Sequence, residues 1–481
     1  MDFPMFHLDW LNNRMLIAII AILHVIINHG LAVGFMPFVT WLEQKGVSRS
    51  GKDQITDLEW DAMVYKIMKV AFIITTTIGA MTGVGIWFSV ALVSPASIGS
   101  LIRVFYWAWF TEWLVFVTEV ILIMIYFLTW KNSNTSLKAK LRHIKFGWYL
   151  SLFSWITMAI IVSILGFMMD PGNWETHKTL LNGFTNPIYL PQLFFRTPTA
   201  MLVAGIFGMF FITLFTKAGT AIRINAVKYA SQWLLLWAPL SLIAAYMYYR
   251  AMPAAMVENM STAVGSLSFS QYYDLLLYVA FAGAGLTLII GVLGIYKTKW
   301  LRPGVVIIPV ITAMAYLGFF ERVREFIRKP YIISQYMYSN LLLKDDYVVY
   351  KQDGILKHAT YTTVNEVTED NKIEAGKNVF IIACSRCHTA QGVNSIVSVF
   401  DRMYAGGGKP LDIASMAAYM PNMHNGRTFM PEFPGNGKEA EALASYIRYL
   451  QMTGDVLEGA QEEGVSINPN NTATTLINKN K

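Results

Sequence analysis

Long apolar runs separated by short charged stretches fill the first two thirds of the chain. Eight of them are long enough to cross a bilayer as a helix, which takes roughly 20 residues: 15–41, 70–93, 104–130, 146–169, 199–215, 230–249, 275–296 and 305–320, the fifth and eighth being the shortest. Trp41, Trp130, Trp148, Tyr249, Tyr296 and Trp300 crowd their ends, as an interfacial aromatic belt predicts. Beyond residue 340 the pattern changes. Residues 341–371 are polar and mixed and read as an ordered linker. Residues 438–451 place Ala440, Leu443, Ala444, Ile447 and Leu450 on one helical face. Residues 467–481 are rich in Asn, Thr and Lys and read as disordered. The expected fold is all-α: a polytopic bundle of about eight transmembrane helices over residues 1–335, a linker over 336–371, a small all-α domain over 372–454 and a tail over 455–481.

Composition supports the membrane reading. Of 481 residues, 54% are hydrophobic and 14% charged, too apolar a balance for a soluble globular chain. The net charge of +7 is spread over short loops, so it is not the footprint of nucleic-acid binding. The first apolar run is too long for the core of a cleavable signal, and is expected to be retained.

Charge asymmetry sets the orientation. Lys131, Lys138, Lys140, Arg142 and Lys145 follow the third run; Lys217, Arg223 and Lys228 the fifth; Lys297, Lys299 and Arg302 the seventh. The opposite loops are mixed, holding Asp170, Glu175 and Lys178, or Arg250, Glu258 and Asp274. Positive residues stay inside, which puts both termini outside, on the periplasmic face of a bacterial inner membrane.

The C-terminal domain carries the most specific chemistry. Cys384-Ser385-Arg386-Cys387-His388 holds the only two cysteines of the chain, and C-x-x-C-H is the attachment signature of a c-type haem. The thiols add across the vinyl groups, and the following histidine ligates the iron. A zinc site would need more Cys or His ligands, and a redox dithiol a βαβ setting. The surrounding residues resemble a class I cytochrome c. Gly376-Lys377-Asn378-Val379-Phe380 matches the family's G-x-x-x-[FY] helix, and Met430-Pro431-Glu432-Phe433-Pro434 its methionine loop. The resemblance makes Met430 the expected sixth ligand, ahead of Met420, Met423 and His424.

Ionisable residues inside apolar runs are costly and point to function. The first run carries His24 and His29, with Arg14 ten residues before His24; the third carries Glu112 and Glu119, seven apart on nearly one face. His29 reads as a polar residue hydrogen-bonded to a neighbouring helix. The eighth run ends in Glu321-Arg322-Val323-Arg324-Glu325-Phe326-Ile327-Arg328-Lys329-Pro330-Tyr331, whose Glu321, Arg322, Arg324 and Lys329 read as a charged helix end at the headgroups.

Residues 10–335 resemble subunit I of cytochrome bd-type oxygen reductases. The Arg14-to-His24 spacing, Glu119 ahead of Trp130, and Glu325-Phe326-Ile327-Arg328-Lys329-Pro330-Tyr331, similar to the family's E-Y-G-R-Q-P-W, carry the resemblance; Glu112 falls one residue off its counterpart. It implies haem b or haem d in the membrane, ligated by His24, Glu325 and Glu112. Arg14 and Arg328 would neutralise propionates or ligands, and Glu119 would relay protons. The departures matter too. Asn186-Pro187 is followed by Phe195-Arg196 where the family has a haem-ligating histidine, and its methionine position falls near Ala280 or Phe281. The quinol loop is shortened to about residues 250–272. The expectation is an oxidase-like subunit that receives electrons through haem c from a periplasmic redox protein and works with a second membrane subunit. The rival is an electron-transfer subunit of a larger complex that reduces no oxygen; a transporter or sensor with an appended haem c is the third reading.

Overall fold

In the computed structural model, residues 6–49, 54–265, 273–405 and 409–457 are described, with side chains of 264, 265, 273–281 and 405 excluded. The predicted tail and part of the 250–272 connection lie outside them, as do the side chains of Ala280 and Phe281. The chain divides into two compact units: residues 20–87 with 99–327, and residues 1–19, 88–98 and 328–481.

The larger unit is helical. Its main elements are α1 (Asn13–Ile27), α2 (Phe35–Arg49), α3 (Leu58–Ile74), α4 (Ala80–Val93), α5 (Tyr106–Leu128), α6 (Leu137–Met169), α7 (Tyr189–Phe215), α8 (Ala221–Ala251), α9 (Tyr273–Tyr296) and α10 (Pro303–Ile327). The first and last residues of α1 and α4 run into the other unit's sequence ranges. Short π-helical turns, Asn28–Val33 and Thr75–Gly79, continue α1 into α2 and α3 into α4. Seven helices among the described residues are long and apolar enough to span a membrane, and Ala282–Tyr296 is a shorter apolar helix. The region read as a shortened loop holds a helix, Ala254–Gly265.

Local chemistry starts these helices. Asp57 accepts from Trp60 N at the head of α3, Ser136 from Ala139 N at α6 and Thr220 from Arg223 N at α8, each satisfying an N-terminal amide that has no intrahelical partner. Pro198, Pro239 and Pro309 lie inside α7, α8 and α10, where apolar surroundings and neighbouring helices tolerate them. The core packs Phe35, Phe38, Leu42, Trp60, Met209, Trp233 and Leu234. At Gly34 an added Cβ would meet Ala200 O at 2.1 Å, so α2 and α7 approach through a small residue. Outward, Met81, Trp107, Ile121, Ile243 and Ile311 are exposed. A shell of large apolar side chains is what a lipid-facing surface requires.

The smaller unit has its own apolar core. Helices α11 (Lys372–Ala383) and α12 (Gly437–Thr453) cross where Gly376 meets Ala442 O, 2.1 Å from where a Cβ would stand. This explains the glycine of the G-x-x-x-[FY] pattern: only hydrogen fits the crossing. Phe380 then packs beside Tyr446, ring centroids 5.9 Å apart. Tyr338, Leu342, Tyr347, Ile355, Leu356 and Val364 join the same core, and a two-stranded ribbon, β1 (Tyr331–Ile333) with β2 (Met337–Tyr338), precedes them. Asn436 and Glu439 form a capping box at α12, and the Glu439 carboxylate also accepts from Ile355 N (2.9 Å) and Leu356 N (2.8 Å).

Candidate functional sites

The Cys384–His388 segment turns off the end of α11. Cys387 N and His388 N both donate to Cys384 O, at 3.1 and 3.0 Å, folding the pentapeptide into one turn that brings its two thiols and its imidazole together. His388 Nδ1 lies 3.0 Å from Asn394 O. A carbonyl only accepts, so Nδ1 carries the hydrogen and Nε2 keeps its lone pair, the form that ligates a metal. Burial, above all, holds the imidazole down to about 4, with Lys329, Arg14 and Arg427 adding to the effect against Asn394. It is therefore neutral at physiological pH.

Burial first, and then Cys387, pushes the Cys384 thiol up to about 12. A redox dithiol needs the opposite, a depressed thiol that reacts as thiolate. Among the described residues no group of three or more His, Cys, Asp or Glu is placed to hold a metal ion. Neither a depressed Cys384 thiol nor, among the described residues, a metal-ligand cluster accompanies the motif.

Met430 stands half-buried in the loop before α12, its amide bonded to Arg427 O at 2.8 Å. His424 Nδ1 lies 2.5 Å from Met430 O, so this histidine ties the loop down. Met420 is 2% exposed within the apolar core, and Met423 packs against that core.

In the larger unit, His24 Nδ1 lies 3.2 Å from Thr82 Oγ1. The Thr82 hydroxyl also faces Ile78 O at 2.8 Å, and His24 bonds the Gly79 backbone as well. His29 differs. Its Nδ1 donates to Val25 O, and its Nε2 faces Arg196 Nη1 at 3.4 Å. The hydrogen bond to a neighbouring helix expected of His29 is there, from α7. Glu119 accepts from the hydroxyls of Ser154 and Thr157 on α6, the latter at 3.3 Å. Glu112, half-buried on the same α5 face, makes no hydrogen bond to a described residue. Glu325 lies in the last turn of α10. Arg14 and Arg328 fall in the smaller unit's ranges, and Arg328 Nη1 donates to Ile332 O at 3.1 Å.

Two buried polar clusters went unread in the sequence. Lys140, counted above as a loop cation, is fully buried and bonds Glu43 at 2.7 Å and Asp61 at 2.5 Å. Tyr126 donates to Glu43 at 2.7 Å; Trp130 and Asn134 donate to Asp61 at 3.1 and 2.9 Å. His143 sets Nδ1 2.7 Å from Glu43 Oε1 and Nε2 2.7 Å from Tyr126 O. Both ring nitrogens therefore face oxygen atoms inside the cluster. The second cluster corrects the reading of Glu321 and Arg324 as a solvated helix end: Glu321 is buried, bonded to Arg196 at 2.6 Å and to Arg324 at 2.8 Å. The only sequence signal was charge inside or beside an apolar run, as at Arg196.

The chain therefore combines a C-terminal domain built for haem c with a helical bundle of membrane-spanning character. Residues 371–447 match the family model described as cytochrome C oxidase, cbb3-type, subunit III. That region is a cytochrome c domain, and the protein is a haem c electron-transfer protein. No curated protein matches the chain.

Proposed function

We propose that this chain is a respiratory membrane subunit in which haem c, facing the periplasm, passes electrons to a haem site in the helical unit where oxygen is reduced. Cys384 and Cys387 would hold haem c, with His388 offering Nε2 and Met430 its thioether to the iron. His24, Glu112 and Glu325 would hold non-covalent haem b or haem d; Glu119 would relay protons; Arg14 and Arg328 would offset negative charge. Bound in the membrane, such a haem supplies one-electron chemistry and an iron that can bind oxygen.

The observation that carries the reading is the form of His388, which donates through Nδ1 to Asn394 O and keeps its Nε2 lone pair for a metal. In the membrane unit His24 is held by Thr82, whereas His29 has Nε2 engaged by Arg196. The matched family is by its description an oxidase subunit, which agrees with delivery of electrons to an oxygen-reducing site. Donor, second subunit and lipid bilayer are the partners this scheme needs.

A reduced-minus-oxidised spectrum with pyridine haemochrome quantitation and a carbon monoxide difference spectrum tests it. Haem c together with a CO-reactive b or d haem is the expected result. Haem c alone would overturn oxygen reduction and leave an electron-transfer subunit of another complex. That second reading draws on Arg196, which stands in an ion pair where the bd-type pattern has a haem ligand.

A further inference from the structure

The Arg196 cluster has more donors than its own residues can use. Glu321 takes Arg196 Nη2 and Arg324 Nε. His29 turns Nδ1 to Val25 O, and its Nε2 faces Arg196 Nη1, a donor, at 3.4 Å. Arg196 Nε, Arg324 Nη1 and both amide atoms of Gln192 are buried without a hydrogen-bond partner among the described residues. Gln192 is 0% exposed and Arg196 3%. The two are four residues apart on α7, and so neighbours on one helical face. Phe195, Tyr248 and Phe320 supply an aromatic wall: Phe195 stacks on Tyr248 at 5.5 Å, and Arg196 lies 5.7 Å from the Phe320 ring. Glu325 lies within electrostatic reach of Arg324.

A buried amide with neither end bonded is rare and costly. An apolar residue would fill the same volume without that cost. Two guanidinium groups that share Glu321 and an unbonded amide one turn away, beside aromatic rings, match a carboxylate on an apolar body. We propose that Gln192, Arg196 and Arg324 form the dock for the propionate groups of a non-covalent tetrapyrrole in the membrane unit. This rests on the proposed membrane haem site, which it extends to residues outside the axial ligand set. A fatty-acid carboxylate has the same recognition chemistry, and the assay separates the two because it counts haem.

The test uses the purified full chain in detergent, comparing wild type with Gln192→Leu and Arg196→Lys. Gln192→Leu removes only the unbonded amide; Arg196→Lys keeps the charge facing Glu321 and loses the guanidinium fork. The readouts are the ratio of non-covalent to covalent haem, the rate of haem transfer to apomyoglobin, and the redox midpoint of the non-covalent haem. Covalent haem c content and the thermal melt report folding. About tenfold faster haem loss in either variant, with haem c unchanged, is the expected result. A wild type that carries non-covalent haem, with both variants identical to it in ratio, loss rate and midpoint, overturns the dock and leaves the oxidase reading standing. A wild type with no non-covalent haem overturns that reading and the dock with it.

Discussion

The helical unit contains two buried charged clusters built on opposite principles. Around Lys140 every charged group is answered: Glu43 and Asp61 face the ammonium, Tyr126, Trp130 and Asn134 donate to the carboxylates, and His143 contacts Glu43, so that the unbonded buried atoms there, Asn134 Oδ1 and Thr40 Oγ1, are on neutral groups. Around Arg196 the ion pairs are equally short, yet donors on Arg196, Arg324 and Gln192 remain unspent. A closed network specifies how α2, α3, α5 and α6 dock and asks nothing of other molecules. An open one is incomplete until something else supplies acceptors. Burial and charge alone do not separate structure from site; unspent donors on the charged groups do.

Substitutions can break that contrast. Lys140→Met should be the most damaging, because it leaves Glu43 and Asp61 facing each other's charge in a dry interior. A loss of about 3–5 kcal/mol is expected for removing one partner of a buried ion pair, read as a large fall in thermal melt and in membrane yield. Arg196→Leu should cost less, about 1.5–3 kcal/mol, because Arg324 still holds Glu321; a melt as low as that of Lys140→Met would erase the distinction. Tyr126→Phe removes one donor from Glu43 while Lys140 and His143 remain, so about 1 kcal/mol is expected. Gln192→Leu should be neutral or slightly stabilising in protein stripped of non-covalent haem, since it removes an unbonded buried amide. A clear loss of stability there would show that Gln192 is bonded within the fold.

What was legible in the sequence follows from the range of each interaction. The apolar runs, the C-x-x-C-H turn and the amphipathic α12 are written in contiguous residues, and the structure forms helices over the runs and α12 and a turn at Cys384–His388. Gly376 was legible as a pattern, and its reason appeared only with Ala442 across the helix crossing. The clusters were not legible, because their partners are remote: Glu43 and His143 are 100 residues apart, Arg196 and Glu321 are 125. Lys140 counted toward the positive loops because it follows an apolar run, and nothing local distinguishes a buried lysine there from a solvated one. His24 and His29 were told apart in sequence only by the Arg14 spacing that the bd-type resemblance supplies. Their bonding partners, Thr82 and Arg196, separate them.

Glu439 carries a practical consequence for anyone wishing to isolate the electron carrier. Its one carboxylate answers the start of α12 and, at the same time, the amides of Ile355 and Leu356, and Gly354 takes a positive φ of 93° beside it. A fragment trimmed to the start of α11 would expose that carboxylate and strip Tyr338, Tyr347, Ile355 and Leu356 from the fold's interior. A fragment opening ahead of Tyr331 keeps the ribbon, the tyrosines and the acceptor together, and is where a water-soluble version of this cytochrome should be cut.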